Sequence, residues 1–227
     1  IAWLDQVQPP ISFNNQIFPS YSLKLLGEEV QRQLPETPNE LDLKKALLSI
    51  ARSSLEAEAD HYLQTFGAVL DQAQDRMEAQ INERQEFIDT FFEGLEVDEE
   101  GEERKPAELL AELSAAARLP LKLTSEQQKM LREDPRSLED DVRELVVHHI
   151  HSITAERLVS TIEMRIGEPL EIAASDLDPK YWGALSRDLL AATQSALQKR
   201  IERLVSEGGQ IAKDLDNLLS RLPRPYS

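Results

Sequence analysis

Residues 39–92 read NELDLKKALLSIARSSLEAEADHYLQTFGAVLDQAQDRMEAQINERQEFIDTFF, and the fold turns on how this stretch is read. It holds no proline and one glycine, Gly67. Apolar side chains recur at Leu47, Ala51, Leu55, Tyr62, Phe66, Leu70, Ala73, Met77, Ile81, Ile88 and Phe91, with Leu95 just beyond. That spacing keeps them on one stripe of an α-helix. Glu56, Glu58, Asp60, Asp71, Asp75, Glu78, Glu83 and Glu86 take the opposite face. A helix of about 50 residues is roughly 75 Å long. It exceeds a small domain, so it must span several packed units or pair as a coiled coil. Leu70→Asp or Ile81→Asp is expected to unfold it by burying a charge in the stripe.

On its N-terminal side, residues 1–19 interleave Trp3, Leu4, Val7, Ile11, Phe13, Ile17 and Phe18 with Pro9, Pro10 and Pro19. Closely spaced prolines disfavour helix, so this is an extended lead-in whose apolar side chains dock on a partner surface. A short helix is predicted from about Ser20 to Gln33, with Leu23, Leu25, Leu26 and Val30 on its apolar face and Pro35 and Pro38 ending it.

On its C-terminal side, residues 93–106 crowd acids around Gly94 and Gly101 before Pro106, a solvated acidic loop. A helix over 107–117 leads to the extended link Leu119-Pro120-Leu121-Lys122-Leu123. Thr124 or Ser125 caps the next helix, which stops at Asp134-Pro135. Ser137, with Asp140 three residues on, is read as opening the following helix. Its stripe is Val142, Leu145, Val146, Ile150, Ile153, Leu158, Ile162 and Ile166, and Gly167 supplies a C-terminal cap. Asp178 and Pro179 start another helix, buried through Trp182, Leu185, Leu189, Ala192, Ala196, Ile201 and Leu204. Gly208-Gly209 breaks it, and Ile211, Leu215, Leu218 and Leu219 form a last short helix.

The reading is an all-α fold in which a long central scaffold helix packs against shorter helices, with a small helical wing subdomain. Residues 1–38 are the lead-in and first helix, 39–93 the scaffold helix, 94–136 the acidic loop and wing, and 137–227 the returning helices. The 227 residues carry a formal net charge of −17 and no cysteine. Without cysteine, disulfides and thiolate metal sites are excluded, which fits a cytoplasmic protein. So acidic a surface repels nucleic-acid phosphates and anionic lipids. No apolar run approaches the roughly 18 residues of a membrane span. The chain opens on Ile1 rather than Met, so it is expected to be part of a longer protein.

Chemistry-bearing candidates are few. His148, His149 and His151 cluster; His148 and His151 share a helical face and could hold a metal, with Glu144, four residues before His148, as third ligand. Against that, these imidazoles flank a core stripe and can simply pack or hydrogen-bond. The carboxylates lie on polar helix faces or in the acidic loop, not as a cleft pair for acid–base work. No Gly-rich phosphate loop, Gly-x-Ser-x-Gly elbow or His-Glu-x-x-His pair occurs. Lys199, Arg200 and Arg203 form a small basic patch, read as a solvated face. No catalytic residue and no cofactor are expected.

A family resemblance comes from three stretches. The first is the long helix around Leu55–Phe91, with Asp71 to Gln74, Arg76, Gln85 and Phe87-Ile88. The second is Arg118-Leu119-Pro120-Leu121, then Leu131, Glu133, Pro135, Leu138-Glu139 and Val142-Arg143-Glu144. The third runs from Ile150 through Arg157, Glu163 and Met164 to Ile166. Together, over about residues 40–205, they resemble the helical scaffold and wing of SecA, the preprotein translocase motor ATPase. The sequence departs from that family in lacking a recognisable Trp-containing helix leading to the regulatory hairpin; Trp182 stands in poorly. The resemblance implies a non-catalytic module that transmits nucleotide-driven motion and contacts other parts of an ATPase, a preprotein or a translocon. It also implies ATP sites upstream, a monomeric isolated domain and a cytoplasmic, membrane-peripheral location. The rival reading is a free-standing helical adaptor or coiled-coil oligomerisation domain.

Overall fold

The computed structural model describes residues 23–36, 39–97 and 106–220. The lead-in at Trp3–Phe18, Ser20, the acids from Asp98 to Glu103 and the burial of Leu23, Leu25, Leu26 and Leu218 lie outside that description. Helices α1 (Leu23–Gln33), α2 (Glu40–Val97), α3 (Pro106–Ala117), α4 (Ser125–Glu133), α5 (Glu139–Ile166), α6 (Trp182–Val205) and α7 (Gln210–Leu219) follow in order. No strand occurs among the described residues. The fold is all-α, with one long helix packing against shorter ones.

Helix α2 is a single element of 58 residues. Its start is fixed by a reciprocal cap: Asp42 N donates to Asn39 Oδ1 at 2.9 Å, and Asn39 N to Asp42 Oδ2 at 3.1 Å. The expected stripe is largely buried, through Leu47, Ala51, Leu55, Phe66, Leu70, Met77 and Ile88. Ile50 and Phe92, absent from that stripe, are buried as well. The helix does not end at Phe92 but runs through Gly94 to Val97. One helical glycine costs only about 1 kcal/mol, and burial of Ile88 and Phe92 on the preceding turns outweighs it.

The chain forms two compact units, each drawn from separated stretches of sequence. The first takes described residues from 23–66, 163–171 and 190–220. Its buried residues include Val30, Ile50, Phe66, Leu197, Ile201, Ala212 and Leu215. Ion pairs tie its segments together: Lys44 to Asp216 at 2.6 Å, Lys199 to Glu171, and Arg203 to Glu168. Arg52 grips Glu202 bidentately, Nη1 to Oε1 at 2.6 Å and Nη2 to Oε2 at 2.9 Å. That hydrogen bond is the main cause holding the Glu202 carboxyl below its usual range.

The second unit comprises described residues of 67–162 and 172–189. Its core gathers Met77, Ile88, Phe92, Leu113, Leu131, Leu138, Val142 and Ile150, with Trp182 partly buried against them. Leu121 and Leu123 of the extended link are buried in the same cluster. Thr124 makes a full capping box with Gln127 at the start of α4. Arg143 of α5 bonds Asp89 at 2.6 Å and Glu139 at 2.5 Å.

Three expectations are corrected here. Ser137 does not cap α5; it lies in a 3-10 turn, Pro135–Leu138, and its Oγ donates to the Asp134 carbonyl at 2.7 Å. Pro135 presets the turn, and the backbone passes directly into α5 at Glu139. Leu145 is exposed rather than buried, because Val142, Val146 and Ile150 turn the stripe away from it. Of the other start and stop signals, Gly167 acts as read, whereas Asp178 and Pro179 open a 3-10 turn, Pro179–Tyr181, and not α6 itself, which begins at Trp182. Gly167 takes φ +67 beyond α5, and Asp178 accepts from Lys180 N at 2.9 Å.

Candidate functional site

His148 and His149 are exposed on α5, and His151 is half-buried. Burial lowers the His151 pKa most; Asp178 opposes that shift, and His148 and Lys180 add to it. His151 is therefore neutral near pH 7. Glu144, the suggested third ligand, is exposed. No group of three or more His, Cys, Asp or Glu residues is placed to hold a metal ion among the described residues.

A different constellation forms a groove in the first unit, with a volume of about 410 Å³. Helix α2 contributes Leu55, Glu58, Ala59, His61, Tyr62 and Thr65. The last turn of α5 adds Arg165 and Ile166; α6 adds Leu197, Arg200, Ile201 and Leu204. Helical spacing makes this lining: residues three, four and seven apart share a face, so Leu55, Glu58, Ala59 and Tyr62 look the same way. The floor is aliphatic and the polar groups are a phenol, an imidazole, the Thr65 hydroxyl, one carboxylate and two guanidiniums.

Tyr62 makes one contact through its ring and one through its backbone. Its ring meets Phe66 edge-on, with centroids 6.0 Å apart. Its carbonyl accepts from Thr65 Oγ1 at 2.9 Å. Burial pushes the phenol pKa up, and the charge of Arg165 partly opposes this. The group thus stays a protonated donor at neutral pH. Neither Arg165 nor Arg200 forms an ion pair or hydrogen bond with the described residues. A Cβ built on Gly167 would lie 4.0 Å from Arg200 Nε, which puts that side chain beside the C-terminal end of α5. Free carbonyls and the helix dipole favour a cation there.

This groove was only partly visible in the sequence. Tyr62 reads as a stripe residue and Arg200 as part of a solvated patch. The structure divides that patch. Lys199 and Arg203 pair with Glu171 and Glu168, while Arg200 turns into the groove. The missed signal is His61-Tyr62, a polar step between Ala59 and Phe66 where the stripe should be aliphatic. No protein-family model matches the chain, and no curated protein or solved structure matches it either.

Proposed function

We propose that the chain is a non-catalytic helical scaffold and wing module of a SecA-like protein-translocation ATPase, acting by transmitting motion and by contacting other proteins. The observation that carries this reading is α2: one uninterrupted helix supplies residues up to Phe66 to one compact unit and from Gly67 onward to the other. The continuity of its backbone hydrogen bonding, with no loop inside its length, supports a role in transmitting motion. This reading assigns the wing to the short helices α3 and α4 and their buried link Leu121–Leu123. None of the described helices is long and apolar enough to cross a membrane.

Two measurements test the proposal. The coding sequence upstream of Ile1 should encode Walker-type nucleotide motifs in the same polypeptide. Sedimentation velocity of the 227-residue chain should give a monomer. A stable dimer, with no nucleotide motifs upstream, would replace the translocase module by a free-standing coiled-coil adaptor.

A further inference from the structure

The geometry points to a binding site for a small amphipathic oxyanion, a carboxylate or phosphate bearing a short apolar chain, in the groove lined by Arg165, Arg200, His61 and Tyr62. The argument begins from charge. The chain carries −17, and acids are available to satisfy most of its cations. Arg32, Arg52, Arg118, Arg143 and Arg203 all engage a carboxylate. Arg165 and Arg200, like Arg76, Arg132 and Arg157, engage none among the described residues, but only these two line the groove. Against these two guanidiniums stands a single lining carboxylate, Glu58. The groove is locally positive in a molecule that is globally negative.

A guanidinium fork matches the planar carboxylate and the phosphate oxygens in bidentate fashion. The Tyr62 hydroxyl, kept protonated by burial, adds a neutral donor at the same place. The aliphatic floor, including Leu197 and Ile201, gives nothing to a bare inorganic ion. It rewards a ligand that carries methylenes, at about 0.8 kcal/mol for each one buried. The volume of about 410 Å³ lies in the range of roughly 300–1,000 Å³ that small-molecule sites occupy.

Isothermal titration of the full chain with octanoate and with octyl phosphate, each below its micellar concentration, tests the site. Octan-1-ol and inorganic phosphate serve as the comparison ligands. One saturable site per chain is expected for at least one of the two anions, and whichever binds tighter identifies the oxyanion. Arg165→Gln and Arg200→Gln should each weaken that binding about tenfold, the loss of one charge-assisted hydrogen bond. Glu58→Gln should tighten it. Thermal melts should stay close to wild type in both Arg variants, since neither side chain has an ion pair or hydrogen bond with the described residues to lose and Arg200 gives up only the favourable field at the end of α5; Arg165→Lys, with its charge kept and its fork removed, should fall between wild type and Gln. The proposal is overturned if octan-1-ol binds as tightly as the anions, if inorganic phosphate alone matches them, if neither anion saturates, or if both Gln variants bind like wild type.

Discussion

Arg84 on α2 donates from Nη1 to the carbonyl oxygen of Ala117, the last residue of α3, at 2.9 Å. That carbonyl has no partner within its own helix, so a side chain from α2 completes the helix end. The next residue, Arg118, closes the same end from the other direction. Its N–H reaches the Ala115 carbonyl and the Leu119 N–H reaches Ser114, the two bonds of a Schellman motif. Arg118 holds φ +46, a conformation normally left to glycine. Its side chain pairs with Glu83 at 2.9 Å and lies 4.8 Å over the Phe87 ring. Two arginines in opposite directions thus fasten α3 to α2.

Arg118 trades backbone strain for side-chain contacts, and the two can be separated. Arg118→Ala keeps the left-handed backbone and loses both contacts; it should destabilise by about 1–2 kcal/mol. Arg118→Gly loses the same contacts but relieves about 1 kcal/mol of strain. Glycine should therefore be the more stable of the two variants in urea melts. An alanine variant at least as stable as the glycine one would mean that position 118 carries no strain.

Core truncation along α2 should rank by burial. Phe92 is 2% exposed and meets Phe91 edge-on at 5.2 Å. Phe92→Ala should cost about 3–5 kcal/mol. Leu70→Asp places a charge at a site only 4% exposed and should abolish cooperative melting. Ile81 is only partly buried, so Ile81→Asp should leave a cooperative but weakened transition. Denaturation followed by circular dichroism reads the order; equal effects of the two Asp substitutions would place Ile81 in the core interior.

Most of the scaffold was legible because helices announce themselves locally. A proline-free run, a stripe at helical spacing, and caps such as Thr124, Gly167 and Asp178 are short-range signals, and all hold in the structure, Asp178 on the 3-10 turn ahead of α6. What failed was also local in cause. Gly94 reads as a stop because its cost is visible in sequence, whereas the burial of Ile88 and Phe92 that offsets it is tertiary. Phe91 and Phe92 cannot be ranked from spacing alone, since either fits the stripe. The groove was largely hidden, because Tyr62, Arg165 and Arg200 are far apart in the chain and meet only through folding.

The half-buried imidazole of His151 makes a pH prediction whose sign is fixed. The folded state lowers the His151 pKa below its ordinary value of 6.5, so the unfolded chain binds that proton more tightly. Stability attributable to His151 is complete above pH 6.5 and is lost as the solution is acidified below it, until the folded-state group also protonates. His151→Gln removes this dependence. The difference in unfolding free energy between wild type and variant should therefore shift against wild type between neutral and mildly acidic pH. A difference constant with pH would show that His151 titrates alike in both states.

The turn after α6 separates two neighbouring glycines. A Cβ on Gly209 would lie 2.4 Å from the backbone oxygens of both Arg203 and Leu204, atoms that cannot step aside. Gly209 N also donates to the Ser206 carbonyl at 2.8 Å, which holds the turn closed. A Cβ on Gly208 would meet nothing within 4 Å. Gly209→Ala must push α7 away from the end of α6, loosening the burial of Ile211, Ala212 and Leu215; a loss of about 1–3 kcal/mol is expected. Gly208→Ala should be neutral, or stabilising by about 0.5 kcal/mol through the entropy of the unfolded chain. Thermal melts of the two single variants decide the matter, because only a steric cause confined to position 209 separates residues that are adjacent and chemically identical.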